Sequence, residues 1–554
     1  MAEAQGSRSE MSFRRQIKSF DRVYWIANWM ELVERFAYYG VRVVCPLYMV
    51  AAFKDGGLEL TQVQKGSIFA VWAVVQSFVP ILSGGLADRY GYKINLVAAT
   101  VFKIIGYLIM GYTVTIGEML AGMSLSEARE AGKDPGYLIF LVGAVFLALG
   151  TAIFKPGLQG LIANRMPKNA AALGWGLFFQ MVNIGAFVGP LLAGYLRVLD
   201  WEYVFVACSI GIALNFIPLF FFAEPSRGPD AVKDGPWRLL VGALRGLLEP
   251  RLFFFTISFA GFWAMAYQFF DLLPNFVDDW VDSRAVAAAL GNVIGADNVP
   301  TVDGGNLTQE WMLNFNALLI SIFAFAVGYV TGKLRSLTTI FIGIITATVA
   351  TYALGLSMNG WGILAIIGLF SFGEMMSAPT KMRYVASIAP PGKDGLYMGY
   401  ANFTVGIGWS LGSILAGNVY QNRGDKVELA RKYLVEEKGI AQAEVAAVEK
   451  GDLLGFFEKT VGVDSWETRN LLWETYDPYY VWQVFALIGV FAMLSIGIYN
   501  RCVLKADADP KHGLNTKGQF WVRAFLIPIF LLMLWASWSQ MGASMDEKTN
   551  EGID

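Results

Sequence analysis

An apolar stretch near the N-terminus carries side chains that could do chemistry inside a membrane. Within residues 25–53, one face of a helix with 3.6 residues per turn collects Glu31, Glu34, Arg35, Tyr38 and Arg42. An ionisable residue at the centre of a membrane-spanning helix costs about 2.5–3.5 kcal/mol, and such residues mark substrate pathways and proton relays. This face therefore must line a water-filled or protein-filled interior, and it is the first place to look for the function.

The composition of the 554-residue chain is that of a membrane protein. It is 55% hydrophobic and only 16% charged, whereas soluble domains are about 25% charged. A net charge of −2 excludes a dominant nucleic-acid footprint. The single histidine, His512, and the scattered Cys45, Cys208 and Cys502 offer no catalytic, disulfide or metal spacing. We therefore expect a protein that is not an enzyme and has no cofactor. The polar, basic start predicts no cleavable signal peptide.

The elements that must position these side chains are membrane-spanning helices. A length criterion of about twenty apolar residues predicts twelve spans, at residues 24–53, 66–83, 95–117, 136–161, 171–196, 201–223, 252–277, 311–333, 336–357, 360–387, 395–420 and 479–503. Residues 521–540 add a thirteenth. The polar break at 224–251 ends in a short amphipathic helix suited to a membrane surface.

The spans divide into two halves with one large insertion. We predict an N-terminal six-helix bundle at 1–223, a cytoplasmic linker at 224–251 and a C-terminal six-helix bundle at 252–503. The insertion at 421–478 carries eight basic and twelve acidic residues, and its periodicity predicts one or two helices outside the membrane. The basic residues of the short loops place the N-terminus in the cytoplasm, with Arg14, Arg15, Lys18, Arg22, Arg165, Lys168, Lys333, Arg335, Lys381, Arg383 and Lys393 on that side.

Several motifs resemble one branch of a known family. GGLADRYGYK, with Gly84, Asp88, Arg89 and Gly91, resembles the loop between spans 2 and 3 of the major facilitator superfamily. The sequence ELVERFAYYGVR in span 1 is similar to the E-x-x-E-R-F-x-Y-Y-G-x-R motif of the proton-coupled oligopeptide transporters. Similar segments follow in the family's order: GTAIFKPGLQG in span 4, FFQMVNIGAFVGP in span 5, FAGFWAMAYQ in span 7, LNFNALLI in span 8 and GEMMSAPTKMRYVASIAPP in span 10.

The resemblance implies an all-α integral membrane protein of the major facilitator fold with two six-helix bundles, to which the apolar run 521–540 adds an extra C-terminal transmembrane helix. It also implies a substrate site between the bundles. A zwitterionic peptide suits the charges: cations would hold its carboxylate, Glu374 its ammonium, and neutral side chains would add hydrogen bonds and stacking. The predicted substrate site comprises Arg35, Arg42, Lys155, Glu374, Tyr38, Tyr39, Asn183, Asn316 and Trp409. The alternative is that these charges only hold the helices together.

The resemblance also implies a set of proton-coupling residues. Glu31 and Glu34 would titrate and exchange partners with Arg35 and Lys155. The family's span 7 carries an acid immediately before glutamine, and here that position is Tyr267. Asp271 lies one helical turn further on, about 5.4 Å away along the axis. We expect Asp271 to replace the missing acid and pair with Lys155, with Glu374 or span 1 as the other sources of the counter-charge.

The favoured interpretation is a proton-coupled symporter of di- and tripeptides in the cell membrane, working by alternating access. Its partners would be peptide, protons and lipid, and the sequence leaves the oligomeric state undetermined. One alternative is a transporter of another small solute, such as an amino acid derivative, or a drug/proton antiporter. A lone acid among aromatic side chains would favour cationic drugs. The other alternative is a non-transporting membrane subunit that uses residues 421–478 to bind a partner.

Overall fold

The computed structural model describes residues 13–167, 170–221, 241, 245–246, 250–389 and 394–506, and these residues fold almost entirely into helices. The N-terminal half comprises α1 (Phe13–Ser19), α2 (Arg22–Tyr48), α3 (Gln62–Tyr90), α4 (Tyr92–Gly111), α5 (Thr113–Ala121), α6 (Leu125–Glu130), α7 (Gly136–Arg165), α8 (Ala171–Leu199), α9 (Trp201–Ala213) and α10 (Phe216–Leu219).

The C-terminal half begins with a helix broken into three pieces. These are α11 (Pro250–Ala266), α12 (Gln268–Asp271) and α13 (Leu273–Trp280). The rest of the half comprises α14 (Arg284–Ile294), α15 (Gln309–Gly332), α16 (Ser336–Ala353), α17 (Gly360–Ser387), α18 (Asp394–Arg423), α19 (Lys426–Glu436), α20 (Gln442–Ala446), α21 (Leu453–Val461), α22 (Ser465–Tyr476) and α23 (Tyr480–Ala506). A hairpin of β1 (Thr301–Val302) and β2 (Asn306–Leu307) precedes α15.

Twelve long helical segments occupy the positions of the twelve predicted spans. Among the described residues, nine are long and apolar enough to cross a membrane. The others are α2, α3 and α18. The chain is therefore a multi-pass, all-α membrane protein, as predicted. The predicted thirteenth span and the amphipathic linker helix fall at 521–540 and 224–251, and the described residues include only 241, 245–246 and 250–251 of these two segments.

The helices pack closely where glycines remove the side chain. In the N-terminal half α2 packs on α8 and α4 on α7. At Gly189 of α8, an added Cβ would lie 2.3 Å from the carbonyl oxygen of Phe36 in α2. Such an approach is typical of transmembrane helices with small residues at the contact. In the C-terminal half α16 packs on α17 and α11 on α18.

The two halves meet along two helix pairs. α3 packs along α18, and α8 packs along α15. Phe78 and Phe403 lie 4.7 Å apart between ring centroids across the first pair. Across the second pair the Asn314 amide donates to the carbonyl of Phe187 at 2.8 Å. We call the side on which α2 begins the N-terminal side, and the side of residues 421–478 the insertion side.

The insertion contains four helices, α19 to α22, so the prediction of one or two was wrong. Two glycines with positive φ, Gly439 at 66° and Gly462 at 84°, break the helical run. The Trp280 indole of α13 donates to the Gly424 carbonyl at 2.8 Å, and its ring lies 5.7 Å from that of Trp473. These contacts fix the insertion on the C-terminal half.

The turn between α3 and α4 is made by Gly91 alone, at φ 101°. This left-handed region is accessible to glycine without the steric cost that a Cβ would bring. Residues 84–90, which the motif analysis placed in the loop, belong to the last turns of α3. The side chains of Asp88 and Arg89 fall outside the described part of the chain.

Candidate functional site

The site begins with a buried ion-pair network on α2. Its spacing of three and four residues brings Glu31, Glu34 and Arg35 together, as the helical periodicity predicts. Arg35 Nε lies 3.3 Å from Glu31 Oε1, and Arg35 also pairs with Glu34 Oε2. Lys103 of α4, which is completely buried, pairs with the other oxygen of Glu34. Three residues of α2 and one residue of α4 therefore form one continuous network.

Lys155 of α7 lies near this network without joining it directly. Its charge interacts with those of Arg35, Glu34 and Glu31. Among the described residues, no ion pair involves Lys155. It is positioned by α7, which packs against both α2 and α4. A partly buried cation without an ion-pair partner among the described residues is available to an anion that comes from elsewhere.

A second ion pair connects the two halves. Arg42, about two turns further along the same face of α2, pairs with Asp271 of α12. Asp271 also accepts hydrogen bonds from the Trp409 indole at 2.9 Å and from the Ser413 hydroxyl at 2.6 Å. The structure thus places Asp271 against Arg42 rather than against Lys155, the partner expected from the sequence. The short helix α12, which carries Asp271, packs against α2, where Arg42 lies.

A cavity of about 850 Å³ lies between the halves, beside the Arg42–Asp271 pair. This volume is within the range of about 300–1,000 Å³ that is usual for small-molecule sites. Its walls come from α2, α8, α12, α15 and α17, and it extends toward the N-terminal side as far as Tyr329 and Met382. Most of its lining is apolar, and the polar exceptions are Tyr39, Arg42, Asn183, Asn314, Asn316, Tyr329, Thr331 and Glu374.

Five of the nine predicted substrate-binding residues line the cavity. They are Arg42, Tyr39, Asn183, Asn316 and Glu374. Glu374 is held by a hydrogen bond from the Asn316 amide at 3.2 Å. A cation from α2, Arg42, and an acid from α17, Glu374, therefore face the same cavity.

The other four predicted ligands, Arg35, Tyr38, Lys155 and Trp409, are absent from the cavity walls. Tyr38 donates to Gln76 Oε1 at 3.2 Å. Trp409 is fully buried and stacks on Tyr267 with centroids 4.5 Å apart. Tyr267 therefore takes the place of the family's acid as an aromatic packing partner.

Some members of the site were not identified from the sequence. Ser413 follows Trp409 by four residues on the same helix face, a spacing that could have been recognised. Lys103 is a visible intramembrane charge, but its partner depends on how α7 packs against both α2 and α4. Lys381, which we expected in a cytoplasmic loop, is buried in α17, where it donates to the Ala401 carbonyl at 3.0 Å. It therefore does not mark the cytoplasmic side.

Hydrogen bonds and ion pairs across the halves close the insertion side of the cavity. Arg197 of α8 pairs with Glu310 of α15 at 3.0 Å and with Asp278 of α13 at 3.3 Å. The Asn275 amide donates to the Pro46 carbonyl at 3.1 Å. Lys65 of α3 donates to Asn275 Oδ1 at 2.6 Å. A solute in the cavity is therefore separated from the insertion side.

Comparison with known proteins agrees with this architecture. Yersinia enterocolitica peptide transporter YePEPT is 28% identical over 200 residues, only 35% of this chain and 35% of that protein's length. Edwardsiella ictaluri multidrug resistance protein MdtH is 22% identical over 384 residues, 69% of this chain and 83% of that protein. A crystal structure of a POT family transporter with a thioalcohol-conjugated peptide superposes with a TM-score of 0.58 at 17% identity, covering 74% of this chain and 94% of that one.

The match that identifies the family covers more residues of the chain than the alignment with YePEPT does. A family model for the Major Facilitator Superfamily matches residues 30–412, from the charged face of α2 to the middle of α18. This range contains the Arg35 network, the Arg42–Asp271 pair and the cavity. The chain therefore belongs to the Major Facilitator Superfamily, whose members are membrane transporters.

Proposed function

We propose that this protein is a proton-coupled symporter of di- and tripeptides, in the oligopeptide-transporter branch of the superfamily. The observation that carries the proposal is that Arg42 and Glu374 face one cavity between the halves. A cation and an acid on opposite walls suit the carboxylate and the ammonium of a zwitterion. The span motifs and the similarity to a peptide transporter support the same substrate class.

Arg42 links substrate binding to closure. It lines the cavity while it pairs with Asp271 of the other half. A peptide carboxylate and Asp271 therefore compete for one guanidinium group. When the peptide takes Arg42, one of the contacts that close the insertion side is lost, and the halves can separate there. Alternating access then follows from exchanging partners rather than from unfolding any helix.

The proton route is assigned to the network behind the cavity. The Arg35 guanidinium lies 5.9 Å from the ring centre of Tyr39, which lines the cavity. Protonation of a carboxylate in α2 would remove one of the two ion pairs of Arg35, and Lys155 would then respond to the changed charge. We place the protein in the cell membrane with its N-terminus in the cytoplasm, so that the cavity faces inward.

The test is uptake into proteoliposomes. The full-length protein, reconstituted in liposomes, should accumulate a labelled dipeptide such as alanyl-alanine when the outside is acidic, and much less when the pH is equal on both sides. Protein-free liposomes are the control for leakage. Absence of uptake under the gradient, or uptake that ignores the gradient, would overturn the proposal.

A second candidate function is drug/proton antiport. Apart from its eight polar residues, the cavity wall is apolar and aromatic, and Glu374 has no cationic partner among the described residues. Such a site also fits a lipophilic cation, and MdtH, a multidrug resistance protein, matches over most of its length. The same liposomes should then exchange a cationic dye for protons. Dye movement without dipeptide uptake would favour this second function.

A further inference from the structure

The two acids of the α2 network are held in different ways. Both oxygens of Glu34 are engaged, Oε1 by Lys103 and Oε2 by Arg35. Glu31 has one oxygen 3.3 Å from Arg35 Nε. Its other oxygen, Oε2, is buried and has no hydrogen-bond partner in the described part of the chain. A buried acceptor without a donor is costly, and binding a proton relieves that cost.

The side chain of Lys103 is held in place by the packing around it. It is completely buried, and its ammonium lies 4.9 Å from the ring centre of Phe154. Its stem lies in a groove at Gly150 of α7, where an added Cβ would be 2.6 Å from Lys103 Cγ. The groove leaves the side chain little freedom to turn away from Glu34. The ion pair between Lys103 and Glu34 is therefore a fixed part of the packing of α2, α4 and α7.

The other charged and titratable groups nearby do not remove the difference in ion pairing between Glu31 and Glu34. Those that interact with Glu31 or Glu34 are Arg35, Tyr39, Lys103, Tyr107 and Lys155. α8 and α9 also pack on α2, but their nearest titratable groups lie toward the insertion side, with Cys208 at the level of Gly40 and Arg197 beside Glu310. Of the charged side chains in the described ranges, Lys103 alone contacts one acid, Glu34, and not the other.

We infer that Lys103 is a positioning residue that keeps Glu34 ionised and so leaves Glu31 as the proton carrier of α2. This inference rests on the proposed proton-coupled function. With Glu34 fixed as an anion between two cations, the proton binds to Glu31 at its free oxygen, Oε2. Arg35 then loses its attraction to Glu31 but keeps Glu34, so the network stays assembled while its charge rises by one. The added positive charge is felt at Lys155, which the same acids balance.

The test measures protonated carboxyl groups directly. The full-length protein, purified in detergent, is titrated from acidic to alkaline pH while the infrared C=O band of protonated carboxyls is recorded. Glu31→Gln should lose one pH-dependent component of the wild-type band. The double variant Glu34→Gln with Lys103→Met removes an acid and its own cation together, and it should keep that component. Retention in Glu31→Gln, or loss in the double variant, would overturn the inference.

Single substitutions of Lys103 give a second test with the same infrared band. Lys103→Arg should leave the band as in the wild type because it preserves the cation. Lys103→Met should add a carboxyl component, because Glu34 then shares Arg35 with Glu31 and begins to titrate. No added component in a folded Lys103→Met protein would also overturn the inference. If this variant does not fold, the comparison of Glu31→Gln with the charge-balanced double variant still decides.

Dipeptide uptake by the same wild-type preparation separates this inference from the proposed function. A wild type that takes up no peptide, with the band component lost only in Glu31→Gln, overturns the function and leaves the titration assignment standing. A wild type that shows gradient-driven uptake while Glu31→Gln keeps the component overturns the inference alone. In a working transporter, the double variant should recover gradient-driven uptake that Glu34→Gln alone loses.

Discussion

At the scale of single residues, the two acids nearest the cavity are held very differently. Asp271 pairs with Arg42 and accepts from Trp409 and Ser413, so its charge is committed to the contact between the halves. Glu374 lines the cavity and receives one described hydrogen bond, from Asn316. The first acid is therefore suited to holding the closed state, and the second is available to a ligand.

Glu374→Gln should weaken peptides with a free amino terminus far more than their N-acetylated forms. The change removes a charged acceptor that only an ammonium can use, worth about 1.5–3 kcal/mol, or roughly 10- to 100-fold in apparent affinity. Competition between each peptide and a labelled dipeptide measures the difference. Glu118→Gln, an exposed glutamate of α5, is the matched control. Equal weakening of both peptide forms would make Glu374 a structural residue.

Asp271→Asn should shift the protein toward conformations open on the insertion side. It leaves Arg42 buried without its partner, and breaking a buried ion pair from one side costs about 3–5 kcal/mol. A cysteine placed at Val43, on the cavity wall, should then react faster with an impermeant maleimide added from the insertion side. Asp282→Asn is the control, because its partner Arg284 lies two residues away in the same half. Unchanged labelling would show that the pair does not hold the halves together.

At the scale of elements, the insertion side is closed by helices in backbone contact. An added Cβ at Gly66 of α3 would lie 2.4 Å from the Ser413 carbonyl oxygen of α18, and one at Gly417 would lie 2.5 Å from that of Gln62. These four residues mark the end of the α3–α18 pair nearest the insertion. Contacts this tight require that both helices lack side chains there.

Gly66→Ala should destabilise the closed conformation by about 1–3 kcal/mol, since the methyl group meets backbone that can yield only if α3 and α18 move apart. We expect a lower melting temperature in detergent and faster labelling from the insertion side. Gly328→Ala in α15 is the control, because nothing lies within 4 Å of its added Cβ. If both variants melt at the wild-type temperature, the contact at Gly66 is not a constraint.

At the scale of the whole molecule, stability should depend on pH through a group outside the spans. Burial raises the pKa of Asp279, in α13 beyond the span Leu252–Asp271, from 3.8 to about 7, although Tyr420 donates to it at 2.7 Å. The folded state therefore holds a proton that the unfolded state releases, and stability is lost as pH rises from 3.8 through about 7. Melting temperatures across that window should fall less steeply for Asp279→Asn. An equally steep fall would contradict this.

The fold could be predicted from the sequence because its signals are local. Apolar length gives the spans, and the spacing of Glu31, Glu34 and Arg35 brings them together within one helix. Pairings between helices were not predictable in this way. Lys103 meets Glu34 because α7 packs against both α2 and α4, and Asp271 meets Arg42 because α12 packs against α2. Spacing along one helix contains neither fact.

Short elements were missed for a different reason. The strands at Thr301–Val302 and Asn306–Leu307 have two residues each, too few for an alternating pattern. The insertion was expected to hold one or two helices because its charged composition is uniform. Gly439 and Gly462 divide it, and each could have been recognised as a helix end.

The insertion touches the N-terminal half outside the spans, and two of these contacts are made by lysines. Lys54 pairs with Asp452 at 2.6 Å, and Lys450 donates to the Val50 carbonyl at 2.7 Å. Both ends of the insertion belong to the C-terminal half, so any separation of the halves on this side must lengthen the gap between Lys54 and Asp452. Both side chains are exposed, and an exposed pair contributes little to stability. Dyes attached at these two positions would therefore report opening and closing of single molecules optically, by energy transfer, without altering the cavity.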